Sequence, residues 1–310
     1  MEPAVIALFV CRSLVCVLGI IGNGALLVSV LKQSGFKTFE IFLAGMASSN
    51  LVESLLVDMP DLLTELAGLR PERWFCKVLK LMSGVGETGS ILFTLLICVF
   101  RYQKLRDAAT RVSLPTVLDR VRNAWLLSAV SWVVAFSFSL PSALMELPKE
   151  DQFVSYGQGN ETDSRACSSD LFDCPLLDCS LGRQVYKMAY MLLLNGLPLV
   201  IVLVCSFLMV KVLYHNHKAL SDQPPAPGPE PRPGRPGRQA AFQRSTRAVL
   251  AALFIFQLAW ILHLVFQFAL DSQEFPYWSH ADFFLSASYS TASPYIYAIG
   301  NNLFRLKSCF

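Results

Sequence analysis

The chain has 310 residues, 54% hydrophobic and only 16% charged, with a formal net charge of +3 and a mean hydropathy of +0.46. Soluble globular chains carry about 25% charged residues, so this composition argues against a water-soluble domain and for burial in lipid. The arrangement of the apolar residues is more decisive than their average.

A transmembrane helix needs about 20 mostly apolar residues, because the hydrocarbon core is about 30 Å thick and a helix rises about 1.5 Å per residue. Seven stretches satisfy this, at about 5–31, 39–63, 76–101, 124–147, 186–214, 247–270 and 280–300. They predict an all-α membrane protein, a seven-transmembrane helix bundle with a short amphipathic C-terminal helix.

The first stretch follows Met1-Glu2-Pro3, which lacks a basic n-region, and its apolar run is too long for a signal peptide. It is read as a span. The few residues before it are too short for an extracellular binding module. Gly22-Asn23 lies within it, and an amide there ties helices together. The second span carries Ser48, Ser49 and Asn50, followed by the carboxylates Glu53 and Asp58.

The third span opens at Cys76 and ends in Phe100-Arg101-Tyr102, with Glu87 and Ser90 between. Its Gly84-Val-Gly-Glu-Thr-Gly89 spells the dinucleotide pattern G-x-G-x-x-G, but no strand precedes it and the surroundings are apolar. Close helix packing is the expected use of these glycines. The fourth span holds Trp132 and Pro141.

The long loop that follows holds Cys167, Cys174, Cys179 and the sequon Asn160-Glu161-Thr162, an expected glycosylation site. With Cys76 on the same face, four cysteines in an oxidising compartment allow two disulfides and three connectivities. Cys11, Cys16, Cys98 and Cys205 are expected as buried thiols, and Cys309 as a thiol or a lipidation site.

The fifth span carries Pro198. Between it and the sixth, residues 221–239 contain seven prolines and three glycines, which favours an extended spacer over a packed core. His263 and Gln267 lie one turn apart on the sixth span. They face either a pocket or a structural hydrogen bond. The seventh span carries Ser293-Pro294-Tyr295-Ile296-Tyr297. After it, residues 302–310 mix Leu303, Phe304 and Leu306 with Arg305 and Lys307, as a helix lying on the membrane would.

Orientation follows the basic residues. With the N-terminus outside and the C-terminus cytoplasmic, 17 of the 26 Lys and Arg fall on cytoplasmic segments, as the positive-inside rule requires.

Carboxylates inside spans are costly, at least about 2.5 kcal/mol each, so they face water, pair or take up a proton. Glu87 lies 11 residues from Cys76, about 16 Å along the helix. Glu87, Asp58, His263 and Gln267 are the expected ligand-binding residues, with Glu87 either meeting a cationic ligand or bracing helices. Asn23, Asn50, Ser90 and Trp132 are the expected polar packing core. No metal cluster, phosphate loop or nucleophile–base set is evident, so neither cofactor nor catalysis is expected.

Taken together, Asn23, Cys76 placed 25 residues before Arg101, Trp132, Pro198 and Pro294-x-x-Tyr297 resemble the rhodopsin-like (class A) G-protein-coupled receptors. The resemblance implies a disulfide from Cys76 to one of Cys167, Cys174 and Cys179. It also implies that Arg101, Tyr102, Pro294 and Tyr297 act in activation of a heterotrimeric G protein. Phe100 stands where most members have an acid, Asn50 where they have Asp, Ser293 where they have Asn, and the sixth span lacks the usual proline. These departures are similar to vomeronasal type 1 receptors and fish class-A-related olfactory receptors, implying a plasma-membrane pheromone or odorant receptor for a small molecule. A transporter is the main alternative from another class, but no internal repeat is visible. A bitter-taste-type receptor fits the Cys76 and Pro294-x-x-Tyr297 positions less well.

Overall fold

The computed structural model describes residues 3–33, 35–69, 72–110, 118, 120–144, 181–221, 236–269 and 278–301. Among them there is no β-strand, and seven long helices form one bundle: α1 (Pro3–Leu31), α2 (Thr38–Ala67), α3 (Arg73–Thr110), α4 (Val121–Leu144), α5 (Leu181 to Ser221), α6 (Pro236–Ala269) and α7 (Trp278–Asn301). The first six are long and apolar enough to cross a membrane. The seventh completes the bundle between α6 and α1. The protein is an all-α seven-helix membrane bundle.

Several helices outrun the apolar stretches that announce them. Hydropathy marks where lipid ends, whereas backbone hydrogen bonding continues into polar sequence. Thus α3 runs on to Thr110, and α6 begins at Pro236, inside the stretch expected to be a Pro-rich spacer. Proline is tolerated there because the first turn of a helix has no acceptor waiting for its N–H. The rest of that spacer, the 302–310 tail, Asn160, Cys167, Cys174, Cys179 and Cys309 lie outside the described residues.

The bundle is apolar outward and polar inward. On α1, Ile6, Val10, Leu14, Val17 and Ile21 face out at three- to four-residue spacing, while Arg12, Cys16 and Asn23 are buried. On α4 the buried face is Ala124, Ser128, Ser131, Ala135, Ser139 and Ser142, all small, opposite exposed Trp125, Val133 and Phe136. Small residues let backbones approach where lipid offers no hydrophobic drive toward association. Cys11, expected as a buried thiol, is instead exposed on the outer side of α1, whereas Cys16, Cys98 and Cys205 are buried and free.

At the centre lies α3, packed on α2, α4, α5 and α6, and its glycines make this possible. A Cβ on Gly84 would stand 2.7 Å from the Ser139 hydroxyl of α4, on Gly86 2.9 Å from Glu53 Cβ of α2, and on Gly89 2.5 Å from the Ser49 hydroxyl of α2. The G-x-G-x-x-G run is therefore a packing surface presented to two neighbours.

Two prolines reshape their helices. Proline lacks an N–H and releases the carbonyl four residues earlier. In α2 a π-turn at Ser54–Asp58 precedes Pro60, and in α5 one at Met191–Gly196 precedes Pro198. Such turns rotate the side chains beyond them relative to those before, and here they adjoin Glu53, Asp58 and Tyr190.

Candidate functional site

At the end of the bundle that carries Cys76, ionisable side chains converge from α1, α2, α3, α6 and α7. The deepest charge on α1 is Arg12, its side chain only 5% exposed. It donates from Nη2 to Asp61 Oδ2 at 2.8 Å and from Nη1 to Glu65 Oε2 at 3.0 Å, with its Cζ 5.0 Å from the Phe283 ring centroid. Asp61 and Glu65 lie four residues apart and so on one face of α2, which lets one guanidinium span both.

Further in, Glu53, Asp58, Glu87 and Asp282 form a group of carboxylates from α2, α3 and α7. Glu53 is within electrostatic reach of Asp58, Glu87 and Asp282. Asp58 is also within reach of Arg12 and accepts a hydrogen bond from Ser54. Each of the four retains solvent exposure. Asp282 Oδ1 accepts from Gln267 Nε2 at 3.0 Å and lies 3.4 Å from His263 Nδ1. His263, buried, sits edge-on to Trp260 at 5.1 Å. Among the described residues, no hydrogen bond or ion pair engages Glu87.

Four positions expected to bind ligand, Glu87, Asp58, His263 and Gln267, therefore fall at one end of the bundle. Asp282 joins His263 and Gln267, which is the structural hydrogen bond expected of that pair. Sequence reading missed Arg12, Asp61, Glu65 and Asp282. The signal for Arg12 was present: an arginine well inside an apolar run must find partners. The signal for Asp282 was weak, because it stands near a span end, where carboxylates are ordinary.

In the middle of the bundle, Pro294 of α7 cannot donate to the Ser290 carbonyl. Two amides take its place: Asn23 Nδ2 at 3.0 Å and Asn50 Nδ2 at 3.4 Å. Asn50 Nδ2 also reaches Asn23 Oδ1 at 3.1 Å, which ties α1, α2 and α7 together. A buried carbonyl freed by proline is satisfied by side chains from two other helices. Ser90 is buried nearby on α3, where its carbonyl accepts the Thr94 hydroxyl at 2.7 Å, and that hydroxyl meets Tyr289 at 2.8 Å. Trp132 was expected in this polar core. The structure shows its ring, edge-on to Phe93 at 5.9 Å, as its contribution.

At the opposite end, Arg101 is buried, with its guanidinium carbon 3.6 Å from the centroid of Phe39 on α2. Phe39 stacks on Phe100 at 6.3 Å and 21°. Tyr297 is fully buried beside Tyr289 and within electrostatic reach of Arg101. Tyr102 is half-buried against the same core.

Over residues 22–297 the sequence matches the family described as 7 transmembrane receptor (rhodopsin family). The chain belongs to that family. No curated protein matches it significantly. The receptor is thus a multi-pass membrane protein of a signalling family that couples to G proteins, not of an enzyme family. Its Cys76 is disulfide-bonded, to a partner outside the described residues.

Proposed function

We propose that the receptor binds a small, amine-bearing extracellular molecule among the carboxylates at the Cys76 end and transmits its arrival to a G protein at the Arg101 end. The observation that carries this reading is the group Glu53, Asp58, Glu87 and Asp282, partly exposed, with Glu53 in electrostatic range of the other three and Glu87 in range of Asp282, and with Glu87 making no hydrogen bond or ion pair among the described residues. Like charges close together in a low dielectric repel. The nearby guanidinium of Arg12 is already divided between Asp61 and Glu65. A ligand cation relieves that repulsion, and it does so best where water is least plentiful.

In this reading the N-terminus is extracellular and the C-terminus cytoplasmic, Asn160 is glycosylated, and Cys76 pairs with one of Cys167, Cys174 and Cys179. The departures at Asn50, Phe100 and Ser293 support a chemosensory role of the vomeronasal type 1 or fish olfactory kind.

The test is a second-messenger screen of cells expressing the receptor against amines, organic acids and steroids, with Glu87→Gln alongside. Amines are expected to signal. The Gln variant should lose about tenfold to a hundredfold in potency at unchanged surface expression, the worth of one charge-assisted hydrogen bond. A response confined to acids or neutral compounds, or an amine response indifferent to Glu87→Gln, would sink the proposal.

A further inference from the structure

We infer that Phe39 is a restraint on Arg101 in the resting receptor, a cation–π latch between α2 and α3 in a chain that lacks the acid most of the family places before the arginine. The inference rests on the family's G-protein coupling and is independent of the ligand proposed above.

The residue before Arg101 is Phe100, so the neighbouring position offers a ring and no charge. The guanidinium carbon lies 3.6 Å from the Phe39 centroid, well inside the roughly 6 Å within which a cation is drawn to an aromatic face. Arg101 is 8% exposed, and a cation withheld from water gains most from such a contact. Arginine suits the role because its planar, weakly hydrated guanidinium stacks on rings as an ammonium does not.

The ring lies against an aromatic neighbour of α3 that α2 contacts twice. Phe39 stacks on Phe100, and Phe42 of α2 meets Phe100 edge-on at 6.2 Å. Lys104, one turn beyond Phe100, places its Nζ 5.8 Å from that ring. Two cations of α3 thus lie against two stacked rings, one from α2 and one from α3. Phe39 touches Arg101 and acts through it, which makes it a positioning residue. The latch holds in so far as opening of the bundle at this end takes Arg101 off this ring; the contact then biases a two-state equilibrium toward the conformation in which it is made.

The experiment compares Phe39→Leu, which keeps apolar bulk without a π face, with Phe39→Tyr, which keeps the face. Ligand-free GDP–GTP exchange would be measured across a panel of G proteins and normalised to surface receptor. In parallel, a bimane on Arg244→Cys, an exposed position of α6, reports opening without any G protein, in a background with Cys11 and Cys309 changed to Ser. The Leu variant is expected to raise basal exchange about tenfold, equivalent to about 1.4 kcal/mol, and to shift the bimane emission. The Tyr variant should stay within about twofold of the parent. Leu and Tyr behaving alike, whether both silent or both active, would overturn the latch, the second outcome showing that Phe39 matters only as bulk. Should no G protein in the panel respond to any form, the bimane comparison alone decides.

Discussion

Arg12, Asp61 and Glu65 make an asymmetric pair of perturbations whose ranking follows from exposure. The Arg12 side chain is 5% exposed, while those of Asp61 and Glu65 are 36% and 34% exposed. Replacing Arg12 by Met removes a charge from the interior, keeps apolar bulk beside Phe283, and leaves Asp61 and Glu65, which water already reaches, and Asp58, which is partly exposed. Its cost should be within about 1 kcal/mol, in line with the small worth of exposed ion pairs. Replacing both acids, Asp61→Asn with Glu65→Gln, leaves a buried guanidinium without its counter-ions. Breaking a buried pair in that sense costs about 3–5 kcal/mol. The lower end applies here, because Asp58 remains within electrostatic reach of Arg12. With about 2.1 cal/mol/K of unfolding entropy per residue, a chain of 310 residues shifts by about 1.5 °C per kcal/mol, so the double variant should lose at least about 4 °C in melting temperature. Arg12→Met should lose no more than about 2 °C on the same scale. Thermal unfolding of receptor purified in nanodiscs, followed by intrinsic fluorescence, reads both. An inverted order, with Arg12→Met the more damaging, would refute the exposure argument and mark Arg12 as the stabilising member in its own right.

Glycine substitutions should split by what a new Cβ meets. Gly45→Ala drives a methyl to within 2.2 Å of the fully buried Phe93 ring, so it should cost about 1–3 kcal/mol in unfolding assays, whereas Gly24→Ala, with nothing within 4 Å, should be silent. The Ser290 knot predicts non-additivity: Asn23→Ala should cost about 1–3 kcal/mol in the parent and measurably less in Pro294→Ala, where a restored N–H can satisfy the carbonyl. Double-mutant thermal shifts that simply add would contradict that account. Changing Ser139 of α4 to Leu should abolish surface expression, because its hydroxyl lies 2.7 Å from a Cβ built on Gly84, while Val133→Leu on the exposed face should not.

Sequence alone determined the class of solvent and the number of helices. Seven apolar stretches of membrane length can satisfy their backbone groups in lipid only by becoming helices, so the all-α bundle is legible in the sequence. The special residues that punctuate those stretches, Asn23, Asn50, Arg101 and Pro294-x-x-Tyr297, were legible for the same reason. A polar group or a proline in hydrocarbon is costly unless something answers it. What the sequence withheld was the answer itself. Hydropathy does not say that Pro294 frees the carbonyl both asparagines seek, that Pro60 and Pro198 would be preceded by π-turns, or that α3 and α6 continue beyond their apolar stretches. Nor does one-dimensional spacing join Arg12 to Asp61 and Glu65, His263 to Asp282, or Arg101 to Phe39. Those partners lie about 20 to 60 residues apart on different helices, and helix rotation sets their meeting. In a bundle whose outer faces are all alike in apolarity, rotation is fixed by the small-residue contacts of Gly84, Gly86, Gly89 and the serine face of α4, and only the packed structure decides it.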